Sequence, residues 1–346
     1  QDQQLMGYEL DIARANSGEW LELASQSWAA SAVNGVLDLS SLDPAKLANG
    51  VYTLRLRAWD LTGRTTEIET RVIIDSANKA LGTVSATDAI FTLGNHQLAL
   101  TRSITPGVAG AAEDAAFGNW TLPMLDTGLT HDQPEVTALG MEAPWAEGAR
   151  VWLQVPASLG QAQAAQQFLS FTLGTTTERL GTAANAPMVV RPVFTSSQGW
   201  TLQAHTGDDL GDGAESAENL QRQGVHLFDQ ITGLPWHPER YTLSGPDGTA
   251  YSLDAQGKVT AVRFADGQQW LVSDAGIALA GAADPMTRVD FVRNEQGRIE
   301  RVTGPVSNVD GTGAQSFAYR YDAAGRLTLA RALYGSDTGT MIGYHA

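Results

Sequence analysis

Tyr319-Arg320-Tyr321-Asp322-Ala323-Ala324-Gly325-Arg326-Leu327 decides the fold of this chain, because a similar tract, Phe291-Val-Arg-Asn294-Glu-Gln-Gly297-Arg298-Ile299, stands 28 residues before it. A looser copy, Tyr251-Ser-Leu-Asp254-Ala-Gln-Gly257-Lys258-Val259, lies further upstream. Each copy reads aromatic, two residues, Asp or Asn, two residues, Gly, Arg or Lys, aliphatic. That order describes a strand, a tight turn and the start of a returning strand. The Asp or Asn side chain bonds the turn's own backbone, and Gly takes the positive φ that a Cβ resists. Self-similarity at this spacing implies units that bury their apolar faces against one another rather than alone.

Outward from these tracts the pattern stays β. From Arg240 onward, Pro246-Asp-Gly248, Ala255-Gln-Gly257, Ala265-Asp-Gly267 and Asp274-Ala-Gly276 punctuate short strands, which predicts an antiparallel meander. In residues 1–78, Tyr52, Leu54, Leu56 and Ala58 alternate with polar residues along one strand, Asp60 to Gly63 is a turn, and Ile68, Thr70, Val72 and Ile74 resume the period. This module reads as a β-sandwich. Residues 79–239 read as a β region with loops, in which Gly94-Asn95 turns a hairpin between Ile90–Leu93 and Gln97–Leu100. The small, turn-prone stretch 104–116 reads as a surface loop, the Ala/Gln-rich stretch 161–167 as a short helix, and Phe168 to Leu173 as a strand. The expected fold class is therefore all-β, with three successive parts: 1–78, 79–239 and 240–346.

The tract Tyr319–Leu327 resembles the tyrosine–aspartate (YD) repeat of Rhs proteins, teneurins and the shell-forming subunits of bacterial Tc toxins. Leu98-Ala-Leu-Thr-Arg102-Ser and Phe117-Gly118-Asn-Trp120-Thr-Leu122 are similar to the segment that opens many such shells, an Arg-Tyr-Asp-Ser run followed by Phe-Gly-x-Gly-Trp. Here Ser103-Ile104-Thr105 replaces Tyr-Asp-Ser, and Asn119 replaces the second Gly. Leu47-Ala-Asn49-Gly50-Val-Tyr52 resembles the late strands of bacterial immunoglobulin-like and fibronectin type III-like domains, which commonly place a hydrogen-bonded tyrosine at the corner where Tyr52 would sit. The resemblance implies hairpins coiled into a β-sheet spiral that closes a hollow shell. It further implies a non-catalytic structural module of a large exported bacterial protein, at the cell surface or outside the cell. Its partners would be downstream shell repeats and a C-terminal domain of the same polypeptide. Tyr344-His345-Ala346 reads as a further unit cut short, so the expectation is a piece of a longer protein.

Composition excludes several classes. The chain has 346 residues, 43% of them hydrophobic, with 36 glycines, which suits a globular, turn-rich fold. It contains no cysteine, so neither disulfides nor thiol-ligated metals contribute. A net charge of −16 argues against nucleic acid, whose phosphate backbone calls for clustered Lys and Arg. No apolar run reaches the length of a membrane-spanning helix.

Few residues point to chemistry. Gly207-Asp208-Asp209-Leu-Gly211-Asp212-Gly213-Ala-Glu215-Ser-Ala-Glu218 places five carboxylates in a Gly-rich loop, and calcium takes several such oxygens in one concave turn. Asp208, Asp212 and Glu215 are the candidate ligands. Leu210 stands where a D-x-D-x-D-G loop has its middle acid and Asn219 where it has its Glu, so a solvated acidic insertion accounts for the stretch better than calcium does. His226 and His237 do not define a zinc spacing. No Gly-x-Ser-x-Gly elbow, Ser-x-x-Lys or phosphate-binding glycine loop occurs, so no enzyme is expected. Trp59, Trp200, Trp236 and Trp270 offer either stacking faces for sugars or filling between sheets, and Trp236-His237 lies in what reads as an ordered aromatic loop. The alternative to a shell is thus a calcium-dependent adhesive module that contacts a cell-surface glycan or protein, with Trp236 and His237 as candidate ligand-binding residues.

Overall fold

A computed structural model describes residues 5–15, 20–28, 42–76, 79–104, 116–134, 140–141, 143–156, 167–183, 185–195, 197–206, 219–281, 287–305, 314–333 and 341–343. Among these residues the secondary structure is β, with one 3₁₀ turn at Pro44–Lys46 and no α-helix, and the strand pairing is antiparallel. The expected loop at 104–116 and helix at 161–167 fall largely outside the described residues.

Strands β1 (Leu5–Arg14), β2 (Leu21–Ser27), β3 (Gly50–Asp60) and β4 (Thr65–Ile74) form one sheet in the order β2-β1-β3-β4. The sandwich expected here needs a second sheet facing this one, and the described residues supply only the first. Ile12, Leu47, Tyr52 and Ile74 make a small core of its own for this sheet. Tyr52 is 2% exposed, and its Oη donates to the Ala48 carbonyl at 3.0 Å, the corner bond that the sequence pattern leads one to expect. Tyr52→Phe should cost about 1 kcal/mol in urea unfolding, because it strands a buried carbonyl while leaving the ring in place. An unchanged midpoint would mean the corner bond contributes nothing.

The remaining strands share one large core. β5 (Val84–Leu93) and β6 (His96–Ile104) form a hairpin with a two-residue loop, Gly94-Asn95. Gly94 has φ +66°, the first position of a type II′ turn. β7 (Thr130–His131), β8 (Arg150–Gln154), β9 (Phe168–Arg179) and β10 (Met188–Phe194) follow. After β11 (Thr201–His205) come β12 (Leu220–Gln223) and β13 (His226–Asp229), and these last two join β7 to β10 in a six-stranded sheet, β13-β12-β10-β9-β8-β7.

β11 starts a second, longer sheet. It pairs with β14 (Arg240–Ser244), after which β15 (Ala250–Asp254), β16 (Val259–Arg263), β17 (Gln269–Ser273), β18 (Gly276–Leu279), β19 (Arg288–Arg293), β20 (Ile299–Thr303), β21 (Ser316–Tyr321), β22 (Leu327–Leu333) and β23 (Met341–Gly343) each pair with the next. The meander expected from Arg240 onward is therefore continuous, and β20 pairs directly with β21 between the two best-matched tracts.

One face of this sheet is apolar. Tyr251, Trp270, Val289, Phe291, Val302, Phe317 and Tyr319 are buried on it, while Leu271, Arg263, Val292, Arg301 and Arg320 stand exposed. The β5–β6 hairpin lies across the apolar face. Trp270 Nε1 donates to the Leu93 carbonyl at 3.2 Å, His96 stacks on Phe264 with ring centroids 3.7 Å apart, and Phe91 meets Phe317 edge-on at 6.4 Å. Alternation along each strand puts the aromatic positions on that face and leaves the intervening ones, Leu271 and Val292 among them, to solvent.

Candidate functional site

The three tracts fold into the same turn. Gly257, Gly297 and Gly325 have φ of +85°, +78° and +79°. Each Gly N–H donates to the carbonyl of the Asp or Asn three residues earlier, at 3.0, 2.9 and 3.0 Å. The Asp254, Asn294 and Asp322 Oδ1 atoms accept from the backbone N–H four residues on, at 2.8, 2.9 and 2.8 Å. Each hairpin carries a register shift beside the turn, at Ser252/Leu253, Val292/Arg293 and Arg320/Tyr321. The extra residue is Thr260, Glu300 or Thr328 on the returning strand, a bulge just beyond the three-residue loop that the Gly closes. Asp60-Leu-Thr-Gly63-Arg64, between β3 and β4, closes by the same bonds. The Arg326 amide and guanidinium hold the Asp322 carboxyl below the usual range, and the Gln268 amide, with Asn95 and His96, does the same to Asp266. These carboxylates serve their own turns.

The bulge turns one amide in each hairpin away from its ladder, and a single segment collects all three. Val259 N donates to the Leu125 carbonyl at 2.8 Å, Ile299 N to the Ala116 carbonyl at 2.8 Å, and Leu327 N to Asn119 Oδ1 at 3.0 Å. All three donors occupy the aliphatic position of the tract. Thr127 N and Oγ1 both donate to the Gly257 carbonyl, at 3.0 and 2.8 Å. Residues 116–128 thus run as a strap across the hairpin turns, and Ser103 and Thr121 exchange backbone bonds that tie the strap to β6.

Under the strap lies a buried ion pair. Arg102 Nε and Nη2 donate to both oxygens of Asp88 at 2.6 and 2.7 Å, and their side chains are 0% and 4% exposed. Tyr319 Oη donates to Asp88 Oδ2 at 2.8 Å. The guanidinium sits 5.0 Å from the Trp120 ring centroid, 5.6 Å from Tyr319 and 5.7 Å from Phe117. Arg102, Phe117 and Trp120, three residues of the segment singled out in the sequence, therefore converge on the aromatic of the best tract.

Burial also raises the phenol pKa of Tyr241, Tyr319 and Tyr321 well above its ordinary value, and pushes Tyr251 up to about 12 with help from the Asp247 charge. A group that resists ionisation in the folded chain gives stability that is complete below pH 10 and is lost as pH rises above it. Urea midpoints should therefore fall steeply above about pH 10, and Tyr251→Phe should flatten that fall. Phenolate absorbance that titrates in a single step near pH 10 before unfolding would contradict this.

Between the turns the long sheet opens. β20 and β21 pair at Arg301–Ala318, Val302–Phe317 and Thr303–Ser316, then diverge toward their turns. The divergence leaves an open cleft of about 1140 Å³ lined by Asn294, Gln296, Arg298, Glu300, Arg301 and Arg320, among others.

The residues singled out from sequence lie elsewhere. Asp208, Asp212 and Glu215 are outside the described residues. Trp236 is 2% exposed and packs edge-on to Trp145 at 6.2 Å, with backbone bonds to Trp145 and Leu227 on either side. Its ring belongs to the core, where Trp200 and Trp270 are also buried, while His237 is half-buried and His226 exposed. Among the described residues no three His, Asp or Glu side chains gather as metal ligands. No helix of the described residues is long and apolar enough to cross a membrane. Compared with known protein families, the chain matches no family model, and no curated protein is significantly similar to it.

Proposed function

We propose that this chain is a non-catalytic structural module of a large exported bacterial protein, at the cell surface or outside the cell. In this reading an immunoglobulin-like N-terminal unit precedes the opening of a YD-type shell that encloses or presents another domain of the same polypeptide. The observation that carries the proposal is the eleven-stranded sheet, a meander from β14 to β23, in which one strap fastens three of the hairpin turns. A sheet with one packed apolar face, one exposed face and three hairpin turns held by a common strap is suited to form a wall. The carboxylates of the turns support a structural role, because they are engaged by their own backbone. Strand β23 pairs on one side only among the described residues, which leaves an edge on which a further hairpin can be added.

Electron microscopy of the polypeptide encoded by the intact gene tests the proposal. A closed density with internal space, and with this sheet in its wall, is the expected result. A solid particle, or a reading frame that stops at Ala346, would overturn it.

A further inference from the structure

We propose that the outer edge of β4 pairs with β4 of a second copy of this chain, joining two four-stranded sheets into one across a two-fold axis. β4 ends its sheet, and among the described residues it pairs only with β3, over all ten of its residues and without a bulge. Edge strands are ordinarily guarded by proline, lysine or a bulge, and β4 has none of these. Ile68 and Ile73 on it are 65% and 46% exposed.

The strand is complementary to its own reverse. Antiparallel pairing about Thr70 sets Glu69 opposite Arg71 of the second copy, Arg71 opposite its Glu69, and Ile68 opposite its Val72. The two Thr70 side chains meet at the axis, where their hydroxyls can bond each other. The axis must fall on a residue, because one between residues would oppose side chains of different faces. On Glu69 or Arg71 it would set like charges directly opposite, and on Ile68 it would oppose Glu67 to Glu69. Thr70 gives the register in which every facing charge finds its opposite or a neutral residue.

The sheet leaves these charges to a partner. Glu67 and Glu69 stand opposite Arg57 and Arg55 on β3, but Arg55 is held by Asp11 at 2.9 Å and Arg57 by Glu9 at 2.8 Å. Arg71 gives Nη2 to the His131 carbonyl at 3.2 Å, and its fork has further N–H donors. On the other face Leu10, Leu56 and Ile68 form one row across β1, β3 and β4, which Val72 and Tyr52 of the second copy would continue. A peptide of unrelated sequence would gain the backbone bonds without these pairs. β2, at the opposite edge, is shorter, and its ladder with β1 carries a register shift. The inference does not depend on what the long sheet encloses.

Sedimentation velocity of the full 346-residue chain provides the test. A monomer–dimer equilibrium is expected, with a dissociation constant of roughly 1–100 μM for a contact one strand wide. Glu69→Arg and Arg71→Glu each oppose like charges, and each alone should weaken the dimer at least about tenfold. Mixed together, the two variants should form a heterodimer, because each supplies the charge that the other lacks. Both substitutions in one chain should restore the dimer, and Arg263→Glu, exposed on β16, should leave it unchanged. Should a variant fail to fold by circular dichroism, hydrogen exchange of the parent decides: alternate amides of β4 should slow as concentration rises. A strict monomer at millimolar concentration, a dimer indifferent to either single variant, no heterodimer on mixing, or slowing at 341–343 in place of β4 would overturn the proposal.

Discussion

Asp88→Ala is expected to be among the most destabilising substitutions in this chain, at about 3–5 kcal/mol in urea unfolding. Its carboxylate is 4% exposed and accepts from two Arg102 nitrogens and from Tyr319 Oη, so its loss leaves a fully buried guanidinium without its counter-charge. The three aromatic rings around Arg102 soften that penalty without replacing a carboxylate. Tyr319→Phe removes only one bond to a charged acceptor and should cost less, about 1.5–3 kcal/mol. A variant in which Arg102→Met accompanies Asp88→Ala and Tyr319→Phe should recover much of the loss, because no charge or hydroxyl is then stranded. If Asp88→Ala unfolds at the parental midpoint with an unchanged slope, the pair is not buried in solution.

The hairpins were legible because their information is local. An aromatic alternation, an Asx residue and a Gly within nine positions specify strand, turn and returning strand, and Gly257, Gly297 and Gly325 take the positive φ this requires. Gly94-Asn95 and Tyr52 were readable for the same reason. The strap was not. It binds through the carbonyls of Ala116 and Leu125, which carry no side-chain signature, and only Asn119 contributes an acceptor that a sequence displays. The buried pair was equally hidden, since Asp88 and Tyr319 stand 231 positions apart. Trp236 was open to two readings, a stacking face for sugars or filling between sheets, and its long-range packing against Trp145 puts the ring in the core. The sandwich expectation rested on alternation within β3 and β4, which shows that a strand has an apolar face but not what covers it.

A glycine series separates backbone strain from strap docking. Gly297, Gly325 and Gly118 all have positive φ, at +78°, +79° and +68°. A Cβ on Gly297 would meet open space, so Gly297→Ala should cost only the left-handed strain, about 1 kcal/mol. On Gly325 it would press on the Arg298 guanidinium, a flexible group that can swing aside, and the cost should rise to about 2 kcal/mol. On Gly118 it would be driven into the Gly325 carbonyl oxygen, where both partners are backbone and neither can yield alone. Gly118→Ala should therefore cost about 3 kcal/mol or more, because it pushes the strap off the turn and loosens the bond from Leu327 N to Asn119. Hydrogen exchange supplies the second readout: the Leu327, Ile299 and Val259 amides, which the strap protects, should exchange faster in Gly118→Ala and at the parental rate in Gly297→Ala. Equal costs at all three positions, with those amides unaffected, would mean that only φ matters and that the strap does not hold the turns.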